Sequence, residues 1–231
     1  MARCAYYATK KLPYEATDLL KKIASYFKHS AKRISAFEHV QEILDMKILK
    51  ILKLAQTRWL SLSACIERLL VLMPALKTYF HNELTTLNNK MRLSTKESEL
   101  KKTINEIYLL LMHVDTELYF RFLHYVLPLI CDLNLEFQSE SPRIHKLYSL
   151  MDEVCQTLLK NFIKPEVIES GDLQVYKNPA NFLRNGDIYA GPWVAAFVEV
   201  NSNLTASKLA VFYTNVRNFR NSPIVSHCCF L

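Results

Sequence analysis

The chain has 231 residues, 50% of them hydrophobic, and a formal net charge of +7. Only 3 glycines occur in this length, which argues against glycine-rich phosphate loops and a sheet-rich fold with many tight turns, because both depend on glycine. Residues 1–60 hold 12 Lys and Arg against 5 Asp and Glu, so they carry the whole charge excess, which favours an acidic polymer such as DNA as partner.

Two amphipathic helices are predicted in the basic region. The first ends at Phe27, and the second runs from a capping Ser30 to about Leu44. We expect Lys32 and Arg33 to be exposed in its first turn, where cations gain little from the helix dipole. The predicted apolar faces are Leu19, Leu20, Ile23, Tyr26 and Phe27 in the first helix, and Ile34, Phe37, Val40, Ile43 and Leu44 in the second.

Residues 47–55 repeat a charged-apolar-apolar triplet, Lys-Ile-Leu-Lys-Ile-Leu-Lys-Leu-Ala. This repeat is compatible with an extension of the second helix or with a connecting segment, and the periodicity does not decide between them.

A long helix capped by Ser61 or Ser63 is predicted next, with Pro74 kinking or interrupting it. The polar residues 82–98 predict a mobile connection. Two more helices follow, one with the apolar stripe Leu100, Ile104, Ile107, Tyr108 and Leu111, the other over 118–137. The second contains charged side chains, so the sequence favours a buried helix over a membrane span.

Ser141 and Pro142 are the strongest helix-start signal in the chain, and the helix they begin is predicted to stop before Pro165. Its predicted buried residues are Ile144, Leu147, Tyr148, Met151, Val154, Leu158 and Phe162. After a loop-rich passage over 165–187, two shorter helices are expected near 193–200 and 206–219. Trp193 is expected to dock the first of them onto the bundle.

The predicted organisation has four parts. They are a basic helical N-terminal segment (1–55), an all-helical domain (56–164), a loop with short helices (165–219) and an irregular tail (220–231).

The pair Arg58-Trp59 combines a permanently charged donor fork with the largest stacking surface among the side chains. Such a pair suits a phosphate and an unpaired base. A tryptophan that fills the core beside an arginine reaching water is the alternative interpretation. If Trp59 stacks on a base, Trp59→Ala should cost about 1–3 kcal/mol of binding.

Several strings along the chain resemble the hAT transposase superfamily, especially its host-encoded, transposase-derived members. The longest begins Thr57-Arg58-Trp59-Leu60-Ser61-Leu62 and continues to Ala75-Leu76-Lys77-Thr78-Tyr79-Phe80. Others, in the family's order, are Lys10-Lys11-Leu12-Pro13, Phe27 to Arg33, Leu135 to Pro142, Phe162-Ile163-Lys164-Pro165-Glu166 and Ile188-Tyr189-Ala190-Gly191-Pro192. The resemblance extends from about residue 4 to about residue 219.

The resemblance implies an RNase H-like fold with an inserted helical domain, near whose start Arg58 and Trp59 would lie, with the indole stacking on a base. It also implies three metal-binding carboxylates. Two of these would lie upstream of Met1, and the third would lie further downstream than this chain reaches. Asp187 and Glu199 are the only acids near that point, and both are predicted to be surface residues. We therefore expect a mainly α helical bundle that lacks most of the catalytic core and is not an enzyme.

The preferred functional hypothesis is a truncated, non-catalytic nuclear protein that binds DNA or chromatin. One alternative is a protein-interaction or oligomerisation module, whose partner would be a second copy or another transposase-derived protein. Another is a gene fragment without independent function. The alternative location is the cytoplasm. No cofactor, metal, membrane contact or small-molecule substrate is predicted, since neither cysteines nor histidines show metal-ligand spacing. The predicted DNA contacts are Lys10, Lys11, Lys21, Lys22, Lys32, Arg33, Arg58 and Trp59.

Overall fold

The computed structural model describes residues 16–54, 59–137, 144–169 and 178–220. These residues are mainly helical and contain no β-strand, only an isolated bridge between Ile163 and Phe182. The prediction of a mainly α helical bundle is therefore confirmed. The helices are α1 (Ala16–Phe27), α2 (Ala31–Ile43), α3 (Trp59–Asn88), α4 (Thr95–Met112), α5 (Val114–Phe137), α6 (Ile144–Lys160), α7 (Pro165–Glu169), α8 (Pro192–Val200) and α9 (Ala206–Arg220), with short 3-10 turns at Pro179–Asn181 and Asn185–Asp187.

Two compact units divide the chain, and the division falls inside α5. The N-terminal unit is Ala16–Phe120, and the C-terminal unit includes the described residues from Arg121 to Arg220. The predicted four-part organisation stays a prediction.

An aromatic cluster fills the core of the N-terminal unit. Tyr26 and Phe27 of α1 meet Phe37 of α2 and the pair Tyr79 and Phe80 of α3, with ring centroids 5.1–6.2 Å apart and several pairs edge to face. Each such side chain contributes about 1.5–3 kcal/mol through burial. The predicted apolar face of α1 is confirmed, because all five of its residues are buried.

Helix α2 begins as predicted, since the Ser30 hydroxyl accepts a hydrogen bond from the Arg33 backbone N–H. Its predicted apolar face is too wide. Phe37 and Val40 are buried, but Ile34, Ile43 and Leu44 are 41%, 68% and 39% exposed. The chain then leaves the helix through Asp45, whose φ of 52° lies in the left-handed region.

Helix α3 differs from its prediction at both ends. It begins at Trp59, ahead of the expected serine cap, and it continues through Pro74 to Asn88. Proline removes one backbone donor, but its neighbours Met73, Ala75 and Leu76 are buried, and this packing offsets the lost bond. Of the two predicted effects of Pro74, interruption of the helix is excluded, and a kink stays a prediction.

The predicted loop at 82–98 is mostly helical. Leu84 and Leu87 are buried, and their packing extends α3 into the polar stretch. Ser94 and Glu97 then form a capping box at the start of α4. The predicted stripe of α4 is confirmed at Ile104, Ile107 and Leu111, which are buried.

Helix α5 supplies the central apolar residues of the C-terminal unit. Phe122 meets Phe212 of α9 edge to face, with centroids 6.3 Å apart. Val126 and Leu127 are fully buried beside Pro128, and α5 is not interrupted there. The predicted helix over 118–137 is therefore confirmed.

Tyr125 of α5 holds the chain that leads into α8. Its hydroxyl accepts a hydrogen bond from Asn161 Nδ2 at 3.0 Å, and its ring meets that of Tyr189 at 5.5 Å. Gly191 has φ 102°, and a Cβ placed there would lie 2.5 Å from Tyr125 Cγ. This position therefore requires glycine both for its backbone angle and for the space.

Most predictions for the C-terminal unit hold, and the burial of Tyr148 does not. Tyr148 is 79% exposed, so the prediction that it is buried is wrong. Trp193 is 52% exposed, but its ring lies 6.0 Å from that of His124 on α5, so it contacts the bundle as predicted. Val194, which is 1% exposed, also anchors α8. The stop before Pro165 and the two short helices are confirmed. The predicted start at Ser141 and Pro142 lies outside the described residues.

Candidate nucleic-acid interface

Half of the predicted contact residues cannot be placed. Lys10, Lys11 and Arg58 lie outside the described residues, and of Trp59 only the backbone, which begins α3, is described. Their role in DNA binding stays a prediction.

Lys21 and Lys22 each have an acidic neighbour. Lys21 Nζ lies 3.6 Å from Asp18 within α1, and Lys22 Nζ lies 2.9 Å from Glu106 of α4. The side chains are largely exposed, and such pairs are worth about 0–1 kcal/mol. A phosphate could therefore displace either carboxylate at small cost.

Arg33 and Lys32 are adjacent but differ in their surroundings. Arg33 Nη1 donates to the Tyr26 carbonyl at 2.7 Å, and the guanidinium lies 4.2 Å over the Tyr26 ring. The expectation that Arg33 is exposed is wrong, because this guanidinium ties α2 to the end of α1. Lys32 is exposed, with no carboxylate in ion-pair range among the described residues.

A groove of about 1120 Å³ lies in the N-terminal unit between α1, α2 and residues 49–54. We call it the lysine groove. The described lining includes four lysines and His29, and Glu38 is the one acidic residue in it. The described lining is Lys21, Ala24, Ser25, Phe27, Lys28, His29, Ile34, Phe37, Glu38, Leu49, Lys50, Ile51, Lys53 and Leu54.

Hydrogen bonds from buried and half-buried side chains fix the segment that carries Lys50 and Lys53. Gln41 is fully buried, and its amide accepts from Leu49 N–H at 2.9 Å and donates to the Leu49 carbonyl at 3.3 Å. Arg68 Nη1 of α3 donates to the Lys50 carbonyl at 2.9 Å. These contacts hold Leu49 and Lys50 within residues 46–54, which lie outside any helix or strand.

The floor of the groove includes part of the buried core. Phe27 and Phe37 line it, and they belong to the aromatic cluster that includes Tyr26 and Tyr79. Burial raises the pKa of both tyrosines above the ordinary value, so they stay neutral. Ile34 is the floor residue that reaches solvent most, at 41% exposure.

Sequence reasoning missed Lys28, His29, Lys50 and Lys53 as site residues. The signal for two of them was present in the triplet repeat over 47–55, whose lysines recur at every third position. The repeat alone does not say which residues it faces, because that depends on the contacts of Leu49 with Gln41 and of Lys50 with Arg68.

Metal-binding side chains are not clustered in the described part of the chain. No group of three His, Cys, Asp or Glu side chains there is arranged to hold a metal ion. No described helix is both long and apolar enough to cross a membrane. Cys65 and Cys131 are buried and form no disulfide, and burial raises the pKa values of their thiols. Cys155 is disulfide-bonded, a bond that the sequence pattern does not indicate.

Comparison of the chain with protein-family models, curated protein sequences and solved structures finds no match. The hAT resemblance, and what it implies about origin, partners and location, therefore stays a prediction.

Proposed function

We propose that the protein is a non-catalytic, nuclear DNA-binding module of hAT-transposase-like origin. The observation that carries this proposal is the lysine groove, where Lys21, Lys28, Lys50 and Lys53 surround one cleft with Glu38 as the opposing charge. Lysines that neutralise phosphates release counterions, and this release drives binding to DNA of any sequence.

The order of residues along the chain supports the same proposal. Arg58 and Trp59 follow Leu54, the last described residue of the groove, after a gap of only three residues. Lys32 is exposed on α2, the helix that also supplies Ile34, Phe37 and Glu38 to the groove. Residues 16–54 together hold 8 Lys and Arg against 4 Asp and Glu, so a chain of phosphates approaching this region meets a net positive surface.

Fluorescence anisotropy of labelled DNA, titrated at several salt concentrations, tests the proposal. The variant Lys50→Gln/Lys53→Gln should lower the slope of log affinity against log salt by about 1.4–1.8, which corresponds to two lost phosphate contacts. Lys96→Gln/Lys102→Gln on α4 is the charge-matched control, since both lysines are exposed and neither lines the groove. It should leave the slope near that of the unmodified protein.

Two outcomes would overturn the proposal. One is an equal change of slope in the test and control variants, which would mean that only total charge matters. The other is no DNA binding together with a salt-insensitive oligomer in light scattering. That result would favour the interaction-module alternative, for which the exposed stripe of α8, with Trp193 and Val200 at 52% and 84% exposure, offers a surface.

A further inference from the structure

The lining of the lysine groove has two chemically different parts. Its lysines come from α1, from the residue that follows α1 and from residues 49–54, while its remaining surface is largely apolar, with Ile34, Leu49, Ile51, Leu54 and the rings of Phe27 and Phe37. A ligand that fills the groove must therefore offer both negative charge and apolar surface.

Duplex DNA does not have this distribution. Its bases are stacked inside, and its outer surface is sugar and phosphate, so a duplex would touch the lysines and leave the apolar floor against water. A single strand presents both parts, because its unpaired bases expose flat apolar faces next to the charged backbone. We infer that the lysine groove binds single-stranded nucleic acid, with phosphates at the lysines and bases on the apolar floor. This inference rests on the proposed function.

The floor is prepared for such a ligand. The rings of Phe27 and Phe37 lie 5.1 Å apart within the buried cluster, and the Gln41 amide fixes Leu49 on the facing segment. Little side-chain order has to be created on binding, which lowers the entropic cost of association.

The same lining indicates low sequence preference. Bases are distinguished by hydrogen bonds to their edges. Apart from the lysines and Glu38, only Ser25 and His29 have polar side chains in the described lining. Contacts between base faces and apolar side chains accept every base. Oligothymidylate and mixed-sequence strands should therefore bind with affinities within about threefold of each other.

Anisotropy titrations of the full chain with labelled oligothymidylate about twelve nucleotides long, and with a blunt duplex of the same length, test the inference. The single strand should bind about tenfold more tightly than the duplex at equal salt. Ile34→Ser should weaken single-strand binding about fivefold through the lost apolar contact, without changing the salt slope. Ile43→Ser is the matched control, because Ile43 is on the same helix, is 68% exposed and does not line the groove.

Because Ile34 and Ile43 are both partly exposed, both variants should fold, and circular dichroism checks that they do. Equal affinity for the single strand and the duplex would overturn the inference, and so would unchanged single-strand binding by Ile34→Ser. In either case the proposed function would stand if Lys50→Gln/Lys53→Gln still lowers the salt slope. A failure to bind either DNA would overturn both. Displacement of the single strand by an acidic amphipathic peptide of much higher affinity would reassign the groove to a protein ligand.

Discussion

The N-terminal unit and the C-terminal unit differ in what their polar residues do. The excess basic charge lies within residues 1–60, and in the N-terminal unit lysines surround an open groove from which they can be removed without disturbing the core. In the C-terminal unit the Tyr125 hydroxyl hydrogen-bonds Asn161, and the Tyr125 ring lies so close to the backbone of Gly191 that there is no space for a Cβ there. Binding and stability can therefore be tested on different units.

The largest expected effect concerns Gly191. An alanine there would need a positive φ and would meet the Tyr125 ring at 2.5 Å, close to the backbone of α5, where the ring cannot swing away. We expect Gly191→Ala to lower the free energy of unfolding of the C-terminal unit by about 3 kcal/mol. Urea unfolding followed by Trp193 fluorescence in a Trp59→Phe background measures it, because Trp193 then remains as the only tryptophan.

Gly186→Ala is the control for this prediction. No atom lies within 4 Å of a Cβ placed at Gly186, so its cost should stay below about 0.5 kcal/mol. Similar losses in both variants would show that the contact with Tyr125 does not govern the stability of this unit.

A smaller effect is expected at Gln41, where the N-terminal unit has its own buried polar contact. Gln41→Met keeps the volume but leaves the Leu49 N–H and carbonyl without their partners, which should cost about 1–3 kcal/mol. It should also speed hydrogen exchange at the Leu49 amide and weaken DNA binding, because Lys50 and Lys53 lose their fixed support.

The neighbouring Glu42→Met substitution is the matched control for Gln41. The Glu42 side chain is exposed and its carboxylate lies 3.3 Å from His39 Nδ1, so its replacement should change stability little. If Gln41→Met left both the exchange rate and DNA binding unchanged, the segment would be held by something other than the Gln41 amide.

The smallest effect is a pH dependence at the start of α4. Hydrogen bonds from Lys90 and from the Ser94 backbone and hydroxyl lower the pKa of Glu97 from 4.5 to about 2. Because the folded pKa is the lower one, the carboxylate stabilises the fold above about pH 4.5, and this contribution is lost as the pH falls from 4.5 towards 2. Glu97→Gln should flatten that part of the stability curve measured by circular dichroism. Glu99→Gln on the same helix is the control, and an identical flattening there would contradict the prediction.

The helices were largely predictable because their apolar residues recur with helical spacing. Leu19, Ile23 and Phe27 mark one face of α1 in the sequence, and all three are buried. The main error came where polar composition was given too much weight. The polar residues of 82–98 do not prevent helix, because buried leucines and the Ser94 cap outweigh local preference. At Pro74 the helix continues, because the residues around it are buried.

The sequence by itself determined the helical class, most helix positions and the concentration of basic charge near the N-terminus. These properties depend on neighbours along the chain, which the sequence contains directly. Only the tertiary structure decided that Arg33 packs on Tyr26, that residues 46–54 leave the helix, and that Lys28, Lys50 and Lys53 share one groove with an apolar floor. Those outcomes depend on contacts between distant positions, such as Arg68 with Lys50, and no local pattern encodes them.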